Sequence, residues 1–85
     1  MAKTIRSKAQ QALCQALVEA RHKSGLSQKE LALKLRHHQS FVARVESGER
    51  RIDVVELIVL SRAVGCDPFE ILAIVEVATE SDHRI

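Results

Sequence analysis

The chain has 85 residues, 46% of them apolar, and a formal net charge of +2. That length suits one domain with a small core. Phe41 and Phe69 are the only Phe, Tyr or Trp residues, so a core of Leu, Val, Ile and Ala, typical of packed helices, is favoured over a β-sandwich. No apolar run approaches the roughly 20 residues of a membrane span. The opening MAKTIRSKAQ is positive but has no apolar stretch behind it, so no signal peptide is expected. Charge is distributed unevenly: residues 1–51 carry eleven Lys/Arg against four Asp/Glu, and residues 52–85 carry two against seven. A basic front and an acidic back point towards a nucleic-acid or membrane partner, although a solvated surface can look the same.

Five short helices follow in chain order. Ser7 with Gln10 reads as a capping box, and Ala9, Leu13, Ala16, Leu17 and Ala20 form an apolar stripe at helical spacing that ends at Ser24-Gly25. Ser27 with Glu30 opens a second helix through Leu31, Ala32 and Leu35. A third, near Gln39 to Glu46, buries Val42 and Val45 and stops at Ser47-Gly48. Asp53 with Glu56 caps a fourth through Leu57, Ile58 and Leu60 to Gly65. Asp67-Pro68-Phe69-Glu70 supplies an N-cap, a first-turn proline and an acidic first turn for a fifth, reaching about Thr79. Residues 80–85 read as a frayed tail. No segment alternates with period two, and the fold class is all-α: one domain over 1–85, with ordered helices over about 8–79.

The second and third helices are separated only by Arg36, His37 and His38, which is helix-turn-helix spacing. Ala32 is small enough to let the third helix cross closely. With Leu31, Leu35, Val42 and Val45 turned inward, Gln39, Ser40, Ala43 and Arg44 fall on the outer face. Gln and Arg side chains bond bidentately to adenine and guanine edges in the major groove.

These residues carry a family resemblance. GLSQKELALKL followed by QSFVARVESGERR, within about residues 10–72, resembles the Cro/CI-type (XRE) helix-turn-helix regulators. The resemblance implies a compact five-helix, lambda-repressor-like DNA-binding domain whose third helix enters the major groove. It implies base contacts by Gln39, Ser40 and Arg44. It also implies backbone contacts by Gln28, which would brace Gln39 as well, and by Ser47, Arg50 and Arg51 in the loop after the third helix. Arg21 and Glu46 match an internal ion pair. Three residues depart from the family pattern. Arg36 stands where Gly is usual, and a left-handed turn kept there would cost about 1 kcal/mol. His37 replaces a small apolar residue, and His38 a capping Ser, Thr or Pro.

Adjacent histidines on a turn rarely converge on one metal ion, and no HExxH or CxxC pattern accompanies them. Two readings remain for them: a solvated turn, or a phosphate contact by His38 or His37, of which His38 is the one assigned. No nucleophile–base set is spaced for catalysis, so neither enzyme activity nor a metal, cofactor or small-molecule ligand is expected. Cys14 and Cys66 lack motif spacing and read as free, half-buried thiols. The fifth helix is apolar around most of its circumference, which predicts a homodimer interface at Ile71, Ile74, Val75 and Val77. A two-fold pair would place two reading helices about 34 Å apart on a palindrome. The expectation is a cytoplasmic transcriptional regulator acting on double-stranded DNA. A phage-type repressor, a restriction-modification controller and an antitoxin all remain open, as does a protein-interaction module using the same helices.

Overall fold

In the computed structural model, residues 7–85 are described; residues 1–6, which hold the first basic positions of the chain, lie outside them. The helices are α1 (Lys8–Lys23), α2 (Gln28–Leu35), α3 (Gln39–Ser47), α4 (Val54–Val64) and α5 (Pro68–Ala78). Among the described residues there is no strand. The fold is all-α and Cro/CI-like in its helix order.

Local chemistry explains where each helix begins and ends. Ser7 accepts the Gln10 N–H at 3.1 Å, a simple N-cap. The reciprocal box forms at α2, between Ser27 and Glu30 at 3.0 and 2.8 Å. It forms again at α4, between Asp53 and Glu56 at 2.7 and 3.0 Å. Each satisfies two backbone N–H groups that a helix start leaves without partners. Asp67 accepts the Phe69 N–H at 2.9 Å, and Pro68 occupies the first turn of α5. Basic Arg21, His22 and Lys23 sit in the last turn of α1, where the helix dipole favours them.

The core is shared by all five helices. Leu17 and Ala16 of α1, Leu31 and Ala32 of α2, Val42 and Val45 of α3, Leu60 and Val64 of α4 and Ile71 of α5 form one buried cluster, with Leu13, Leu35 and Leu57 packed against it. Packing is most extensive between α1 and α5 and between α2 and α3. Lys34 ties α2 to the end of α4 by donating to the Ala63 carbonyl at 2.8 Å. It thereby meets a carbonyl that the helix C-terminus leaves open.

Ile71 corrects one expectation. It is only 2% exposed and closes the α1–α5 contact, so it belongs to the core and is not available to a partner. The other three interface candidates differ among themselves: Val75 is half-buried, whereas Ile74 and Val77 are exposed. Cys14 and Cys66 are both free and half-buried. Burial pushes both thiols above their ordinary pKa, which makes them poor nucleophiles. The tail after α5 is exposed and irregular, with a turn closed from His83 N–H to the Glu80 carbonyl at 3.0 Å.

Candidate nucleic-acid interface

The turn between α2 and α3 keeps its left-handed geometry despite carrying arginine. Arg36 has φ 56° and ψ 47°, the only non-glycine positive φ among the described residues. The His37 N–H reaches back to the Ala32 carbonyl at 2.9 Å and the Arg36 N–H to Leu33 at 3.1 Å, closing the end of α2. Those bonds and the buried Ala32 over-determine the turn, so the strain of a side chain at positive φ is tolerated there. His38 then sits at the N-cap of α3 with extended backbone but contributes no side-chain capping bond. It is the helix start with the weakest local cap, and tertiary contacts hold it instead.

One face of α3 is bolted to the body of the molecule. Val42 and Val45 are buried, and Glu46, one residue further, anchors a polar network. Arg21 of α1 donates to Glu46 through Nε at 2.7 Å and Nη2 at 3.1 Å, a bidentate pair whose side chains are 9% and 8% exposed. Its Nη1 donates to the Leu26 carbonyl at 2.9 Å. Gln28 of α2 completes the network, donating from Nε2 to Glu46 Oε1 at 2.9 Å. One carboxylate thus joins α1, α2 and α3, and fixes how far α3 projects and at what rotation. Arg21 is fully engaged inside the protein. Gln28 gives one amide N–H to Glu46 and forms no hydrogen bond with Gln39 among the described residues, so the expected brace is not made, while its second N–H and its carbonyl stay open.

The opposite face of α3 is open. Gln39, Ser40 and Arg44 are all exposed, with Ser40, Arg44 and Ser47 aligned at helical spacing. Arg44 approaches Glu49 at 3.7 Å, but both side chains are largely solvated, so the pair is worth little and yields easily to another anion. Ser47 is the last residue of α3 rather than part of the following loop, and its hydroxyl donates to the Arg44 carbonyl at 3.2 Å. His37, His38 and Arg51 are also exposed. Arg50 is half-buried, with Nη1 and Nη2 donating to the Glu56 carboxylate at 3.0 and 2.9 Å. His38, Gln39, Ser40, Arg44, Ser47 and Arg51 are thus all exposed, whereas Arg21, Gln28 and Glu46 are joined in the polar network between α1, α2 and α3. No group of three or more His, Cys, Asp or Glu side chains suited to a metal ion occurs among the described residues. No helix among the described residues is long and apolar enough to cross a membrane.

The helix-turn-helix family profile matches residues 17–71, more than half of the chain. The chain belongs to the XRE-type helix-turn-helix family. Members of this family are DNA-binding transcription regulators and not enzymes. An XRE-family-like protein from Pseudomonas syringae pv. tomato str. DC3000 is 44% identical, with a TM-score of 0.77 over 85% of this chain and 88% of that one. The clp gene regulator ClgR from C. glutamicum shares the fold at 21% identity, with a TM-score of 0.76 over 91% of this chain and all of that one. No match is found among curated protein sequences.

Two features of this XRE-type domain escaped the sequence reading. Gln28 and Glu46 are 18 residues apart, and no spacing rule pairs them. Arg50 and Glu56 straddle the α3–α4 loop, and the same Glu56 was already assigned as half of a capping box. A carboxylate has lone pairs for both tasks, and only the fold shows that both are used.

Proposed function

We propose that this XRE-family regulator acts as a cytoplasmic homodimer that reads a short, roughly palindromic operator and so blocks or recruits polymerase. The observation that carries the reading is the pairing of an exposed Gln39-Ser40-Arg44 face with a rigidly bolted inner face of α3. Arg44 is the residue for a guanine edge and Gln39 for an adenine edge. Gln28, His38, Ser47, Arg50 and Arg51 supply backbone contacts. Phosphate attraction makes the affinity fall steeply with salt.

Dimerisation is supported by α5, where Phe69, Leu72, Ile74 and Val77 are exposed large apolar side chains. Side chains of this kind clustered on one helix of so small a domain mark a contact surface. With Ile71 claimed by the core, the interface assignment narrows to Ile74, Val77 and the edge of Val75. The same surface would suit a protein partner in an antitoxin-like role, and a palindromic site is what separates the two.

Selection from random DNA at two salt concentrations tests this reading. Recovery of a palindrome is expected, and recovery of no preferred sequence refutes base reading. On the recovered site, Arg44→Ala should relax specificity at one base pair per half-site and weaken binding by about 1–3 kcal/mol. Unchanged affinity for every sequence removes Arg44 from the base-reading set.

A further inference from the structure

The ring of Phe41, half-buried on α3, touches residues from both ends of the helix. His37, in the turn before α3, stacks on it with centroids 4.0 Å apart and planes 25° apart. Arg50, in the loop after α3, holds its guanidinium carbon 4.9 Å from the ring centroid. Glu56 grips that guanidinium through two N–H bonds, and the Arg51 carbonyl takes a third at 2.6 Å. Glu56 is itself fixed, because it also accepts the Asp53 N–H at the start of α4. A continuous line of contacts thus runs from the helix-turn-helix turn, across α3, to the first turn of α4.

What this line leaves open is directional. A guanidinium has five N–H donors. The bonds to Glu56 and Arg51 use both on Nη1 and one on Nη2, so Nε–H and the second Nη2–H have no partner among the described residues. Those two lie on one edge of the guanidinium, a fork that matches two oxygens of one phosphate. His37 is oriented in a comparable way. Its Nδ1 accepts the His38 N–H at 3.0 Å, which places the proton of the neutral ring on Nε2, as a donor. Glu56 offsets the charge of Arg50, so the contact depends on orientation more than on long-range attraction.

We propose that Phe41 is a positioning residue for the DNA backbone: its ring aligns the open edge of Arg50, and steadies His37, so that both flanks of α3 meet phosphates as one unit. This rests on the DNA-reading function proposed above. A purely packing role for Phe41 predicts only a change in stability. The positioning role predicts a change in the number of phosphates engaged, although the substitution removes no charge.

The test compares wild type, Phe41→Leu, Phe41→Tyr, Arg50→Gln and the Leu/Gln double variant on the site recovered by selection, over a salt series, with Tm followed in parallel. Leu keeps apolar packing but lacks a ring face; Tyr keeps the face. Phe41→Leu should weaken binding roughly three- to tenfold. It should also lower the slope of log K against log salt by about one. Phe41→Tyr should retain wild-type affinity and slope, and adding Phe41→Leu to Arg50→Gln should cost less than it costs wild type, because only the His37 contact is left to lose. A slope that Phe41→Leu leaves untouched, or losses that add in the double variant, overturns the proposal. If the Leu variant is too unstable to assay, Phe41→Met, which also fills the site without a ring face, takes its place, and an unchanged slope overturns the proposal. A wild type that binds no DNA refutes the functional reading and this proposal together. A wild type that binds while the slopes persist refutes only the proposal.

Discussion

The front of this molecule buries charge, and the back exposes apolar surface. In the front, Arg21 and Glu46 are nearly sealed from water, but Gln28 and the Leu26 carbonyl help satisfy them from inside the same chain. In the back, Val54, Val55 and Val59 of α4 and Phe69, Leu72, Ile74 and Val77 of α5 stand exposed, while Leu33 is the only comparable residue of the front helices. Both arrangements are costly for a domain of this size. One is resolved internally and the other is not, and this separates a face that must hold its own shape from a face suited to contact with another molecule.

Substitutions can break this contrast. Glu46→Ala should have the largest effect, destabilising the fold by about 3–5 kcal/mol, because it strands the buried Arg21 guanidinium. Chemical denaturation followed by circular dichroism measures it. A loss under 1 kcal/mol would mean that the network is better solvated than its burial suggests. Replacing Arg21 and Glu46 together by apolar residues of similar volume should cost far less than either single change. On the other face, Val77→Asp places a charge on a side chain that is 87% exposed, so monomer stability should move by no more than about 0.5 kcal/mol. Dimer affinity should nevertheless fall by at least about tenfold in sedimentation velocity. A sedimentation profile that stays put would remove α5 from the interface.

Smaller effects sharpen the same comparison at the turn and the loop that flank α3. Arg36→Gly should stabilise the protein by about 1 kcal/mol, since glycine adopts this left-handed conformation without a Cβ clash. Destabilisation would show that the arginine stem makes a compensating contact. Acid should act on the α3–α4 loop. Hydrogen bonds from the Arg50 guanidinium, and next from the Asp53 N–H, hold the Glu56 carboxyl below its ordinary value of 4.5. A folded-state pKa below the unfolded one contributes stability that is full above the unfolded value and is lost as pH falls through the folded one. Urea midpoints should therefore fall as pH drops below about 4.5, and Glu56→Gln should flatten that part of the profile.

How much of this was legible in advance depended on the range of the interaction. The capping boxes at Ser27 and Asp53, the Pro68 start and the inward faces of α2 and α3 are set by residues within four positions of one another, so the pattern of letters suffices. Gln39, Ser40 and Arg44 were legible because the buried Val42 and Val45 leave them the outer face. The contacts of Gln28 and Phe41 were not, since each depends on a residue that arrives from another element. Ile71 was misassigned for a related reason: when nearly every position of a helix is apolar, periodicity no longer tells the inner face from the outer.

The sequence by itself determined five helices, their starts and stops, the helix-turn-helix spacing and the side chains left on the outer face of α3, all consequences of local backbone chemistry and helical periodicity. The tertiary structure decided which carboxylate ties α1, α2 and α3 together, which edge of Arg50 stays open, and that Ile71 faces in while Val77 faces out. Those choices follow from the packing of α1 on α5 and of α2 on α3, because long-range packing alone brings residues distant in sequence within hydrogen-bonding reach.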